Sequence, residues 1–213
     1  MRTEDLTAML AASLEPIDPR LTKRRYLIGI TTGAFGALCL ARGVLHLNPA
    51  LPREVSESAF WVREVFCASL SVLAVLVIGR LARPGSRLGL LPAAIAAVVL
   101  IMWTLAATRL LSAPPQSRVP LLLGTTFAVC PFLIAFVAAP LFLCFFWVLK
   151  GLAPTRLCSA GAGAGFAAGS IGALVYSLHC PELAAPFIGV WYLLGMLIPT
   201  AIGASLGPRL LRW

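Results

Sequence analysis

Six cysteines and two histidines hold nearly all of the nucleophilic and metal-binding capacity of this chain. The cysteines fall at 39, 67, 130, 144, 158 and 180 with no C-x-x-C spacing, which argues against a zinc ribbon and against a thioredoxin-type redox pair. His46 and His179 stand far apart, with no Ser/His/Asp grouping, no two histidines on one helix face and no Gly-rich phosphate loop, so the residues offer no catalytic set and an enzyme is not expected. The densest chemistry is the run His179-Cys180-Pro181-Glu182, set between two apolar stretches. A thiol there can pair with another thiol, ligate a soft metal ion with His179 beside it, or pack as a small hydrophobe.

The elements that must position this run are membrane helices. Of 213 residues 60% are hydrophobic and 12% charged, with mean hydropathy +0.93; a soluble domain carries about a quarter charged residues. Apolar runs of roughly 17–25 residues recur between polar breaks, the length that a bilayer core of about 30 Å demands. Six crossings are expected, near 26–47, 60–79, 88–108, 128–149, 157–178 and 187–206, giving an all-α polytopic bundle. The fourth apolar run, 121–149, is too long for one untilted span, so its first part should lie at the surface. Gly29, Gly33 and Gly36, and again Gly161, Gly165 and Gly169, put small residues on one helix face for close packing. Arg63 and Glu64 fall in the first turn of the second crossing, where charges are expected to be cheap.

The chain divides into a polar segment 1–25, the six-helix domain 26–206 and a short tail 207–213. In the first segment Leu6, Met9, Leu10 and Leu14 recur at helical spacing beside Glu4, Asp5, Glu15 and Asp18, an apolar stripe that suits docking on a basic groove. Pro16 and Pro19 are expected to stop that helix before Lys23-Arg24-Arg25. Four acids and a long polar start speak against a cleaved signal peptide, so the first crossing is expected to stay as an anchor.

Charge then orients the bundle. With the N-terminus inside, the cytoplasmic segments hold Arg2, Arg20, Lys23, Arg24, Arg25, Arg80, Arg83, Arg87, Lys150, Arg156, Arg209 and Arg212, which is 12 of 17 basic residues, and the other side holds Arg42, Arg53, Arg63, Arg109 and Arg118. Both termini should therefore be cytoplasmic and the His179–Glu182 run external. The net charge of +9 is accounted for by this bias, and without an aromatic-interleaved basic face it does not imply nucleic acid. Cys130 then lies at the same depth as Cys180, with Cys67 a weaker third; Cys39, Cys144 and Cys158 fall within or below the bilayer.

His179-Cys180-Pro181-Glu182, Pro186-Phe187, Trp191-Tyr192-x-x-Gly195 and the closing Gly203-Ala-x-x-Gly207-Pro208-Arg209-Leu-Leu-Arg212-Trp213, with Thr3-Glu-Asp-Leu6 near the start, resemble the NrsF family of bacterial six-helix membrane anti-sigma factors. The resemblance covers nearly the whole chain by layout and is most specific in the last 40 residues. It implies an inner-membrane protein that holds an extracytoplasmic-function sigma factor and releases it under oxidative or heavy-metal stress. Two cysteines matter to that family's response, and the matching positions here are Cys180 and Cys130, with His179 a further ligand if a metal ion binds transiently; no resident cofactor is implied. Residues 1–25 would dock the sigma factor, and the Gly161/Gly165/Gly169 helix, which leads into Cys180, would move. A small transporter or channel is the competing class, but it would need a polar lumen and no acid or base lies deep in any crossing.

Reporter fusions test the orientation. Cytoplasmic signals are expected after Arg25, Arg83, Thr155 and Trp213, and an exported reporter at the C-terminus contradicts it.

Overall fold

The computed structural model describes residues 19–83, 85–152 and 154–212, the first five by backbone alone. Leu6, Met9, Leu10 and Leu14 lie outside the described residues. Among the described residues six helices are long and apolar enough to cross a membrane: α1 (Pro19–Leu40, extended by a π-helical turn Ala41–Leu45), α2 (Ser58–Leu81), α3 (Leu91–Ser112), α4 (Cys130–Lys150), α5 (Leu157–Tyr176) and α6 (Leu193–Leu210). The last follows directly on a short helix Ala185–Phe187 and a π-turn Ile188–Tyr192. The expected crossings are all present, with ends shifted by a few residues.

The described part of α1 opens at Pro19, and the residues before it, where the expected N-terminal helix falls, lie outside the described residues. Arg24 and Arg25 are therefore carried on α1 itself. The long fourth run divides as its length requires: Pro115–Leu123 forms a separate helix with no buried residue, and the crossing starts at Cys130.

α5 is the hub. Two-thirds of its spanning window (67%) is buried, against 11% for α3 at the periphery. It packs against α6 more extensively than any other pair does, and beyond that against α4 and α2. The reason is its lack of side chains: a Cβ built on Gly161 would fall on the Gly203 carbonyl, one on Gly165 on the Pro199 carbonyl, and one on Gly169 would sit 2.8 Å from the Met196 Cα. Gly172 does the same toward α4, where Ala138 Cβ would lie 2.8 Å away. Between lipid-bathed helices there is no hydrophobic drive to associate, so this close van der Waals contact is what holds them. The α1 glycines serve α4 likewise, Gly29 facing Val148, Gly33 Leu141 and Gly36 Pro140. Large apolar side chains such as Phe35, Phe132 and Leu143 point outward, as a lipid-facing surface requires.

Gly165→Leu should force α5 and α6 apart, an overpacking cost on the order of 1–3 kcal/mol or more. Gly79→Ala, whose Cβ would meet nothing within 4 Å, should be neutral. Thermal unfolding of the detergent-solubilised variants separates the two; equal melting points would remove the backbone contact from its central place.

Candidate functional site

At one end of the bundle four helices deliver side chains to a single buried point. Cys130 is the first residue of α4, its amide bonded to the Thr126 carbonyl at 2.9 Å. Tyr176 ends α5, and the His179 and Cys180 amides return to its carbonyl at 2.9 and 3.1 Å. Pro181, with no N–H to continue that turn, sends the chain on in extended form. α2 supplies Arg63 and, one turn on, Cys67; the π-turn before α6 supplies Tyr192. Cys67, Cys130, Cys180, Tyr192 and Arg63 have no exposed surface, and Tyr176 is 1% exposed.

The structure places Cys130 and Cys180 side by side as free thiols. The Cys130 thiol leans on the Cys180 sulfur, as do the Tyr192 hydroxyl and the Glu182 amide, and the Arg63 charge lies close by. Together they outweigh burial and bring the Cys180 pKa down from an ordinary 9.0 to about 6. Tyr192 Oη has no hydrogen-bond partner of ordinary geometry and faces this sulfur. The Tyr176 hydroxyl faces both thiols, and its ring lies 5.8 Å from that of Tyr192.

Arg63 corrects the expectation of an inexpensive charge in a first helical turn. Its Nη1 donates to the Cys180 carbonyl at 2.8 Å and the Glu182 carbonyl at 3.1 Å, and its Nε donates to Glu64 Oε1 at 3.2 Å. Nη2 is buried with no partner. The run after Cys180 folds across the start of α2, so carbonyls and one carboxylate replace the water that a terminal arginine would otherwise find; a charge so enclosed is tolerated only when paired.

Glu182 closes the site from the other side. Its carboxylate accepts from the Thr125 amide and hydroxyl, both at 2.7 Å. Gly124 makes this possible twice over: its φ of +56° suits glycine, and a Cβ there would stand 2.7 Å from the Glu182 carboxyl carbon. Thr126 Oγ1 is 4.0 Å from Cys180 Sγ. Trp191 donates to the Leu122 carbonyl at 2.9 Å and Trp103 to the Gly189 carbonyl at 2.9 Å, fixing the π-turn to its neighbours.

His179 does not join the two thiols. Its Nδ1 lies 2.8 Å from the His46 carbonyl, on the side where Asn48 N–H also bonds the Leu178 carbonyl at 3.0 Å. Among the described residues no three of His, Cys, Asp and Glu come together to hold a metal ion, so the expected set of Cys130, His179 and Cys180 is not assembled. Adjacent residues after a helix end point in different directions, and the carbonyl of His46 has claimed this ring. Cys39 and Cys158 are exposed, and Cys144 is half-buried with Thr32 Oγ1 at 3.6 Å. Arg63, Tyr176, Tyr192 and Thr125 were not singled out by sequence as site residues; an arginine just inside an apolar span was the one signal available for Arg63.

Glu182→Ala removes both bonds to Thr125 and should open the cover over Cys180. Hydrogen bonds to a charged group are worth about 1.5–3 kcal/mol each, so maleimide labelling of Cys180 should accelerate about tenfold or more. An unchanged labelling rate would show that access lies elsewhere.

This arrangement occurs in a chain with full-length relatives. The family model described as "Negative regulator of sigma F", NrsF, matches residues 10–213. The chain is 44% identical over 213 residues to the probable anti-sigma-F factor NrsF of Azospira oryzae and 35% identical over 221 residues to the anti-sigma-F factor NrsF of Caulobacter vibrioides, covering 100% of each chain in both cases. No solved structure matches. With six candidate spans, an all-helical fold and a family match from residue 10 to the C-terminus, the chain belongs to the NrsF family, the negative regulators of sigma F.

Proposed function

We propose that this protein is an inner-membrane anti-sigma factor that sequesters an extracytoplasmic-function sigma factor at its cytoplasmic face and releases it when oxidants or soft metal ions react with Cys130 and Cys180 from outside. The observation that carries the reading is the full-length likeness to two relatives named as anti-sigma-F factors. The site adds support, since two free thiols in contact, one held toward its thiolate, are the chemistry that both disulfide formation and soft-metal binding require.

The docking surface is assigned to residues 1–25, through Leu6, Met9, Leu10 and Leu14. Arg25 gives that segment a firm root. Its guanidinium lies 4.3 Å over the Trp147 ring and donates to the Trp147 carbonyl at 2.8 Å, on the last turn of α4. In the orientation argued from charge, this root is cytoplasmic and the thiol pair external. A metal ion, if it enters, would take the two thiolates, with His179 turned away.

Tagged protein purified from membranes should bring down a sigma subunit. Leu6→Asp with Leu10→Asp should weaken that capture, each anchor contributing on the order of 1.5–3 kcal/mol, a tenfold or greater change in affinity apiece. Cys180→Ser or Cys130→Ser should keep the partner bound and blunt its release by oxidant or cadmium. Undiminished capture by the double aspartate variant would move the contact elsewhere, and normal release in Cys180→Ser would end the thiol switch.

A further inference from the structure

The two adjacent thiols are not equivalent. We propose that Arg63 is the positioning residue that makes Cys180 the thiol attacked first by an electrophile, with Cys130 as the thiol that resolves the adduct. This assignment rests on reading the pair as the switch and gives each sulfur a separate task.

The geometry of α2 carries it. Arg63 Nη1 bridges the carbonyls on either side of Pro181, those of Cys180 and Glu182, so the arginine fixes the turn on which the Cys180 sulfur is mounted. Its Nη2 is fully buried and has no partner. Glu64 pairs with the Nε edge of the guanidinium at 3.2 Å, which leaves the Nη2 edge without an acceptor. A thiolate on Cys180 would be a second anion beside the same guanidinium, and the guanidinium favours it. The groups that face this sulfur come from every element around it: Arg63, Glu64 and Cys67 on α2, Cys130 on α4, Tyr176 on α5, Tyr192 before α6, and Glu182 on its own loop. Arg63 is the one cation among them. The near neighbours of Cys130 are the Cys180 sulfur, the Tyr176 hydroxyl and the Glu182 carboxylate, none of them a cation. The low Cys180 pKa, about 6, agrees with this division.

With a small disulfide R–S–S–R as oxidant the sequence balances. The Cys180 thiolate attacks one sulfur, forming Cys180–S–S–R and expelling R–S⁻. The Cys130 thiol then attacks the Cys180 sulfur, forming the Cys130–Cys180 disulfide; the second R–S⁻ leaves and takes the Cys130 proton. Two thiols are oxidised and one small disulfide is reduced to two thiols. Opening of the Glu182–Thr125 latch would admit the small disulfide in the first step and let the second R–S⁻ leave in the second.

The test uses the full-length protein in detergent with Cys39, Cys67, Cys144 and Cys158 replaced by serine, alkylated by iodoacetamide between pH 5 and 9 and read peptide by peptide by mass spectrometry. Cys180 should be alkylated before Cys130, with its rate half-maximal near pH 6. Arg63→Met should move that midpoint up by about a unit or more, so that Cys180 reacts roughly fivefold or more slowly at pH 6. Arg63→Lys, which keeps the charge and loses the bidentate bridge, should recover part of the shift. An unshifted midpoint in Arg63→Met, or Cys130 reacting first in the unsubstituted background, overturns the proposal. Should Arg63→Met fail to accumulate, the order of alkylation in that background and the midpoint in Arg63→Lys decide it: a lysine variant that matches the parent in both supports a charge effect, and Cys130-first labelling refutes it. A Cys180→Ser protein that still releases its partner on oxidation would end the switch while leaving the reactivity order, measured separately, in place.

Discussion

α5 and α6 touch backbone to backbone, and the relative position of Cys180 and Tyr192 follows from that contact. Gly161, Gly165 and Gly169 meet Gly203, Pro199 and Met196 with no side chain between them. A contact made of main-chain atoms has no rotamers through which to relax, so a shift of one helix is a shift of both. Cys180 hangs four residues beyond the end of α5, and Tyr192 stands immediately before α6. The distance between thiol and phenol is therefore set by glycines a helix-length away, and small residues that perform no chemistry decide where the chemistry occurs.

The same rigidity explains how a charge can be kept inside. A guanidinium withdrawn from water costs several kcal/mol unless its donors are answered, and Arg63 answers Nη1 and Nε with two carbonyls and a carboxylate fixed by the fold. The remaining Nη2 has nothing. The Glu182–Thr125 latch and the two tryptophan bonds to Leu122 and Gly189 hold the surrounding chain in place. A thiolate at Cys180 would join Glu64 as a second anion beside this guanidinium.

How far the sequence foretells this depends on range. Glycines at four-residue spacing mark a helix face by arithmetic, and the structure uses Gly161, Gly165 and Gly169 in that way. The split of residues 115–150 into a surface helix and a crossing follows from bilayer thickness against chain length. Arg63 is beyond local reading altogether: whether a first-turn arginine meets water or protein depends on a loop 117 residues later folding over it. Equal depth for Cys130 and Cys180 follows from topology, but that they are lateral neighbours follows from the packing order of α4 and α5, which hydropathy does not encode. His179 fails for the opposite reason, adjacency in sequence being no guide to a shared direction past a helix end.

These contacts also bear on which element would carry a signal across the bundle. The glycine helix α5, leading straight into Cys180, is the natural first choice, yet its backbone contact with α6 makes it the part least able to move. α4 has the opposite character. It begins at Cys130, contains Pro140 halfway along, and carries Trp147 in its last turn, where that residue's carbonyl and ring hold Arg25 at the root of the N-terminal segment. Gly151, just beyond, leaves the room that the Arg25 guanidinium fills. A proline within a helix removes one backbone bond and allows the two halves to bend against each other, and the α1 residue that packs on this proline is Gly36. A bond between Cys130 and Cys180 would draw one sulfur toward the other. With Cys180 on the loop that Arg63 bridges, the end of α4 would be the freer one, and a bend at Pro140 would reach α1, whose Gly29 and Gly33 pack on α4, and the Arg25–Trp147 contact at the far end. A modification shifts an equilibrium only by its differential affinity for the two states, and α4 is the helix whose two states would differ at both the thiol and the arginine.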